Sequence, residues 1–260
     1  MRIVLEELFG ITELPFLQGR LKIKPTVLKK EHTLREFIEK TKPGFFSTAV
    51  PLEPYSLSEE LAFFQDAAKQ TQMILHFYDP AYTSIQNLNR VRNLLTPDLR
   101  LIPIPFDATK GNKAELIYLI HTLTEWLEKQ EQHLTYEKIL IHTQYFKSRC
   151  TPWSFVAEVG PFAVVKKHRS MYKPPAKATF KQVYTQEDGK LKVHKTGELS
   201  ELWQQILAAK TEGKQVWVVR KGVTVDLPGS DIVVDLENQT LPSHIPYVQA
   251  IFAPTKMSSL

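Results

Sequence analysis

The sequence predicts an α/β fold, with a mainly parallel sheet and flanking helices followed by a smaller α+β domain. Three observations carry this. Between residues 56 and 143, apolar runs of strand length alternate with amphipathic helical stretches, an order that calls for crossovers and a parallel sheet. Ser56 with Glu59, like Thr33 with Glu36 before it, has the spacing of a capping box at a helix start. Past residue 165 the pattern changes to short strands separated by glycine turns, with a single helix among them.

Taken in order, residues 2–8 read as a short strand or a frayed helix. In 20–24, Leu21 and Ile23 alternate with Lys22 and Lys24, as in a half-exposed strand. Thr33 opens a helix through about Thr41, which Pro43-Gly44 stops, and 45–50 reads as strand. Ser56 opens a second helix to about Gln70, burying Leu57, Leu61, Phe64 and Ala68, and 73–78 is a strand. Thr83 or Ser84 caps a helix through Leu95 that carries Ile85, Leu88 and Val91 at helical spacing. The run 99–106 is a strand, but Pro103 and Pro105 lack the N–H that a central ladder needs, so it is an edge or an irregular strand. The stripe Leu116, Leu119, Ile120, Leu123 and Leu127 makes 113–130 a helix, and 138–143 follows as a further strand.

Residues 1–167 are therefore expected to form the α/β domain, 168–177 a linker and 178–260 the α+β domain. In the last of these, 180–185 and 191–194 flank Glu187-Asp188-Gly189 as a hairpin. A helix over 200–211 points Leu202, Trp203, Ile206 and Leu207 inward, strands follow at 216–220, 223–227 and 232–236, and the tail from Leu241 reads as irregular chain.

With 260 residues, 43% of them hydrophobic and 23% charged, the chain can bury a core of its own. Cys150 is the only cysteine, which excludes an internal disulfide and a thiolate-rich zinc site and favours a reducing, cytoplasmic setting. The N-terminus lacks the pattern of a signal peptide. No run approaches the roughly 20 apolar residues of a membrane helix, so no membrane partner is expected. The eight histidines show no metal-ligand spacing, no metal site is expected and the sequence assigns no cofactor.

Charge is unevenly placed. Residues 139–186 hold eight basic residues against one acid, interleaved with Tyr145, Phe146, Trp153, Phe155, Phe162, Tyr172, Phe180 and Tyr184. Cations that neutralise phosphates beside rings that stack bases suit RNA or single-stranded DNA. On this reading the chain is a non-catalytic nucleic-acid-binding or accessory protein, contacting its partner through Lys147, Arg149, Lys166, Lys167, Arg169, Tyr172, Lys173 and Lys177. The same cations would serve an interaction subunit meeting another polyanion or an acidic protein.

The alternative is an enzyme acting on a phosphate-bearing small molecule. If 73–143 forms a parallel sheet, Asp79, Asp107 and His142 stand at the carboxyl ends of successive strands, where open α/β sheets bind ligands. Thr109, Lys110, Gly111, Asn112 and Lys113 precede the strongest helix, whose N-terminal N–H groups attract anions. The segment has one glycine and matches neither of the glycine-rich phosphate loops. Cys150 lies close to Lys147 and Arg149 in sequence, which would lower a thiol pKa, but an inert thiol is the simpler expectation.

Overall fold

The computed structural model describes residues 1–28, 52–69, 71–107, 111–130, 135–157, 179–185, 191–223, 225–236 and 247–255. The chain is an α/β protein with a parallel four-stranded sheet and a second, mixed six-stranded sheet. It divides into two compact units, Met1–Thr109 with Gln239–Pro242 and Lys110–Asn238 with Ser243–Leu260. The expected helix at 33–41, the strand at 45–50 and the linker at 168–177 lie outside the described residues.

The first unit contains β1 (Arg2–Glu6), β2 (Leu21–Lys24), the short antiparallel pair β3 (Val27–Leu28) and β4 (Leu52–Glu53), α1 (Leu57–Ala67), β5 (Met73–Tyr78), α2 (Ile85–Leu94) and β6 (Arg100–Pro105). Four strands form the parallel sheet in the order β2-β1-β5-β6. Val4, Ile74, Tyr78 and Leu101 pack against Phe64 and Ala67 of α1 and Leu88 and Val91 of α2. Ser56 and Glu59 close the capping box reciprocally, as their spacing predicts.

Residues 2–6 resolve as strand because β1 is flanked on both sides, by β2 and by β5, so its ladder is filled. In β6, the N–H groups of Arg100 and Phe106 donate to Gln72 and Tyr78 carbonyls at 2.8 Å. Alternation then turns the nitrogens of Pro103 and Pro105 away from β5, where no hydrogen bond is lost. The edge position read from these prolines is the one observed.

The second unit contains α3 (Lys113–Glu128), α4 (Tyr136–Ser148), β7 (Thr151–Ala157), β8 (Thr179–Thr185), β9 (Leu191–Glu198), α5 (Leu199–Leu207), β10 (Lys214–Lys221), β11 (Ile232–Asp235) and β12 (Tyr247–Pro254). Six strands pair in the order β11-β10-β12-β7-β8-β9, antiparallel except for β10 with β11. The period-2 alternation sorts two faces. Phe155, Val216, Val218, Val248, Ala250 and Phe252 pack with Leu202, Trp203 and Ile206 of α5. Trp217 meets Tyr118 and His121 of α3 on the other face, with ring centroids 5.5 and 5.1 Å apart.

Three expectations fail in this unit. Residues 138–143 are not strand but the middle of α4, which Thr135 caps by accepting from the Lys138 N–H. The run Ile139-Leu140-Ile141 imitates a strand, yet Ile139, Thr143 and Phe146 are the buried positions, at helical spacing, and Ile141 is exposed. Tyr247–Pro254 of the tail is not irregular, because as β12 it fills the slot between β10 and β7 in the sheet. Of 223–227, the described residues are not strand, and Val223 and Leu227 serve the core instead.

Among the described residues, no helix is long and apolar enough to cross a membrane. Nor does any group of three His, Cys, Asp or Glu gather as metal ligands.

Candidate functional site

The strand order of the parallel sheet reverses at β1, with β2 on one side and β5 on the other. The carboxyl ends of these strands form the crevice where such sheets place ligands. Glu6 ends β1, Lys24 ends β2, Asp79 follows β5 and Asp107 follows Phe106 after β6.

Glu6, Lys24, Glu60, His76 and Asp79 are all buried. The Lys24 ammonium lies 2.5 Å from Glu60 Oε1 and 3.8 Å from Glu6 Oε1, and is cradled by the Tyr55 ring at 4.8 Å and the Phe64 ring at 5.8 Å. Glu6 accepts from the Asp79 N–H at 2.7 Å and from the Thr83 hydroxyl. Burial pushes the Glu6 carboxyl up, against the pull of Lys24. Burial also drives His76 well below the usual imidazole range, with Lys24 adding to the effect. A neutral ring 3.7 Å from Glu6 makes neither an ion pair nor a hydrogen bond, and both His76 nitrogens lack partners.

Asp79 is spent locally. Its carboxylate accepts from the Ala81 N–H at 2.8 Å, and its carbonyl accepts from Tyr82 and Thr83, forming the turn that Asp79-Pro80 opens. Among the described residues, Glu6, Glu60 and Asp79 stand there against the single cation of Lys24. Sequence reading passed over Glu6, Lys24, Glu60 and His76. The usable signal is a polar residue in or at the end of a buried strand, as Glu6 follows Ile3-Val4-Leu5 and His76 interrupts Met73–Tyr78.

His142 belongs to α4, not to a strand end, and its ring stacks 3.9 Å from that of Trp126. Burial lowers its pKa. Thr109 and Lys110 lie outside the described residues, whereas Gly111, Asn112 and Lys113 lead into α3. Asn112 is the N-cap: its side-chain oxygen accepts from the Ala114 and Glu115 N–H groups, and its amide donates to the carbonyls of Trp153 and Ala250. The Lys113 N–H donates to Gln249 Oε1 at 2.8 Å. The N–H groups that a phosphate would use are thus already taken by protein oxygens. The Lys113 ammonium is buried over the Tyr247 ring.

Of the eight residues proposed for nucleic acid, Lys166, Lys167, Arg169, Tyr172, Lys173 and Lys177 lie outside the described residues. Lys147 and Arg149 stand at the end of α4, where the Arg149 guanidinium lies over the Tyr145 ring and donates to its hydroxyl at 2.5 Å. Phe146, Phe155 and Phe180 are core residues, and Trp153 packs on Phe252. Among the described residues, the interleaving of these four rings with cations reflects the strand and helix periods rather than a row of stacking faces.

No protein-family model matches the chain, and no curated protein matches it by sequence. Solved structures do match its fold along nearly the whole length. The Streptococcus pneumoniae Fatty Acid Kinase (Fak) B3 protein, loaded with linoleic acid, is 12% identical with a TM-score of 0.55, over 97% of this chain and 99% of that one. A DegV family protein from Thermus thermophilus, described for fatty acid binding, is 14% identical with a TM-score of 0.56, over 97% and 100%. DegV from Bacillus subtilis, described as a fatty acid binding protein, is 11% identical with a TM-score of 0.54, over 96% and 98%. These findings overturn the function and partners expected from the sequence. These solved structures are described as fatty-acid-binding or loaded with a fatty acid, not as nucleic-acid-binding, so the RNA or single-stranded DNA reading is withdrawn. With it go the polyanion, the acidic protein partner and the phosphate-directed enzyme.

Proposed function

We propose that this chain binds a fatty acid or a similar long acyl chain. The observation that supports the reading is the fold, shared end to end with proteins described as fatty-acid-binding or loaded with a fatty acid. The energetics are favourable. Each methylene removed from water contributes about 0.8 kcal/mol. A chain of roughly 16 carbons therefore gains about 12 kcal/mol before the costs of immobilisation. One cysteine in 260 residues supports a reducing, cytoplasmic setting.

The test is direct. Protein purified without detergent is extracted with organic solvent, the extract is analysed by mass spectrometry for acyl chains, and delipidated protein is titrated with oleate. Near-stoichiometric lipid, or saturable oleate binding at one site, is the expected result. An empty extract together with no oleate binding overturns the proposal.

A further inference from the structure

We propose that Glu6 and His76 form a proton-operated latch on the turn from Asp79 to Thr83, closed near neutral pH and released when the pair takes up one proton. The inference goes beyond the acyl-chain reading and stands on the first unit alone.

Glu6 and His76 share the face of the parallel sheet that packs under α1, because β1 and β5 pair Val4 with His76 and Glu6 follows two residues on. Both oxygens of Glu6 are committed to the turn. Oε2 accepts from the Asp79 N–H at 2.7 Å, and Oε1 accepts from the Thr83 hydroxyl. These bonds tie the end of β1 to the residues that lead into α2, at the carboxyl ends of the strands where the crevice lies.

His76 is fully buried, and neither ring nitrogen has a hydrogen-bond partner among the described residues. A neutral imidazole always carries one N–H, so a buried donor is left unused. Its Nε2 stands 3.7 Å from Glu6 Oε1, and less than about 1 Å of movement brings the two to hydrogen-bond distance. The rings of Phe64 and Tyr78 flank the imidazole at 5.0 and 5.9 Å, and β6 sets Pro103 beside it. β2 brings Lys24, which Glu60 of α1 holds under the Tyr55 ring; Asp66 holds Lys22 further along. Asp79 accepts from the Ala81 N–H, and α2 contributes Leu88 and Val91. With Glu60 engaged by Lys24 and Asp79 by its own turn, Glu6 is the carboxylate placed to answer His76.

A proton entering this pair weakens the latch wherever it settles. On His76 it makes an imidazolium, a donor at both nitrogens, which draws the carboxylate toward the ring and away from the turn. On Glu6 it makes a neutral acid, which accepts from Asp79 and Thr83 less strongly and offers its own O–H to Nε2. Burial and Lys24 hold the closed ring well below 6.5, the ordinary value that an opened ring regains. Proton uptake therefore favours opening below pH 6.5 and leaves the latch closed above it, by roughly thirtyfold between pH 7.5 and 5. The raised Glu6 pKa offsets part of this, so a response of at least tenfold is expected.

The experiment is hydrogen–deuterium exchange at pH 7.5 and pH 5, corrected for the intrinsic rate, on the amides of residues 79–83 with those of α1 as the internal control. In wild type the turn is expected to exchange at least tenfold faster at pH 5 while α1 changes less than twofold. His76→Phe keeps a ring and removes its proton site, and His76→Gln does so with an amide; in whichever folds, the acid response of the turn should fall below twofold. Thr83→Val removes one tie and should speed exchange of the turn already at pH 7.5. A wild-type turn that is unchanged at pH 5, an equal loss of protection in α1, or an acid response kept in the His76 variants overturns the latch. Oleate plays no part in the measurement, so the acyl-chain reading stands or falls separately.

Discussion

Lys24 Nζ lies 2.5 Å from Glu60 Oε1, and both side chains are 3% exposed. The pair joins the end of β2 to the first turn of α1, and Glu6 shares the cation from β1. A buried ion pair adds little net stability, but removing one partner strands the other, at a cost of about 3–5 kcal/mol. Lys24→Met is therefore expected to destabilise the first unit by that amount in urea unfolding, and the double variant Lys24→Met with Glu60→Met to recover most of it. A single-variant loss under about 1 kcal/mol would show that water already solvates the pair.

Lys113 gives a pH dependence of defined sign. Its folded pKa of about 8 lies below the ordinary 10.5, so between these values the unfolded chain holds the proton more tightly. Stability should therefore rise as pH increases from 8 to 10.5, by roughly 3 kcal/mol at about 1.4 kcal/mol per tenfold change in proton affinity. Lys113→Met should lack this component and be more stable than wild type at pH 7, with the gap closing above pH 10. Equal stability of the two proteins at pH 7 and pH 10 would show that the ammonium is not desolvated.

Cys150 should be unreactive in the folded state. Its thiol donates to the Phe146 carbonyl at 3.3 Å, and burial with nearby Glu115 pushes its pKa up to about 12, despite Lys214 and Lys147. Since the thiolate is the reactive form, labelling by an aromatic disulfide at pH 8 should run at least roughly a hundredfold slower than for free cysteine, and recover in urea. A native rate within tenfold of free cysteine would contradict the burial.

Much of the fold was legible because local rules agree with packing. The Ser56–Glu59 box, the apolar run at 73–78 and the edge prolines of β6 each reached the structure intact. Elsewhere distant residues decided the outcome. The cations of β2 looked solvent-facing by alternation, but α1 sets Glu60 against Lys24 and Asp66 against Lys22. Residues 139–141 carry no local mark separating a helix from a strand; the Thr135 cap and the spacing out to Phe146 do. Lys113 was picked out as an anion holder at a helix start, but Lys221 and Tyr247 are more than a hundred positions away and meet it only through the β10–β12 register. The basic ribbon misled in part because sequence proximity of rings and cations does not reveal that Phe146, Phe155 and Phe180 turn inward.

The prolines of β6 also govern what the protein does in company. The backbone nitrogens of Leu101, Pro103 and Pro105 point away from β5, and only the first has a hydrogen to give. A strand arriving from another molecule would find two of these three donors missing. Extension of the sheet along that margin therefore lacks two of its backbone donors, at no expense to the pairing with β5.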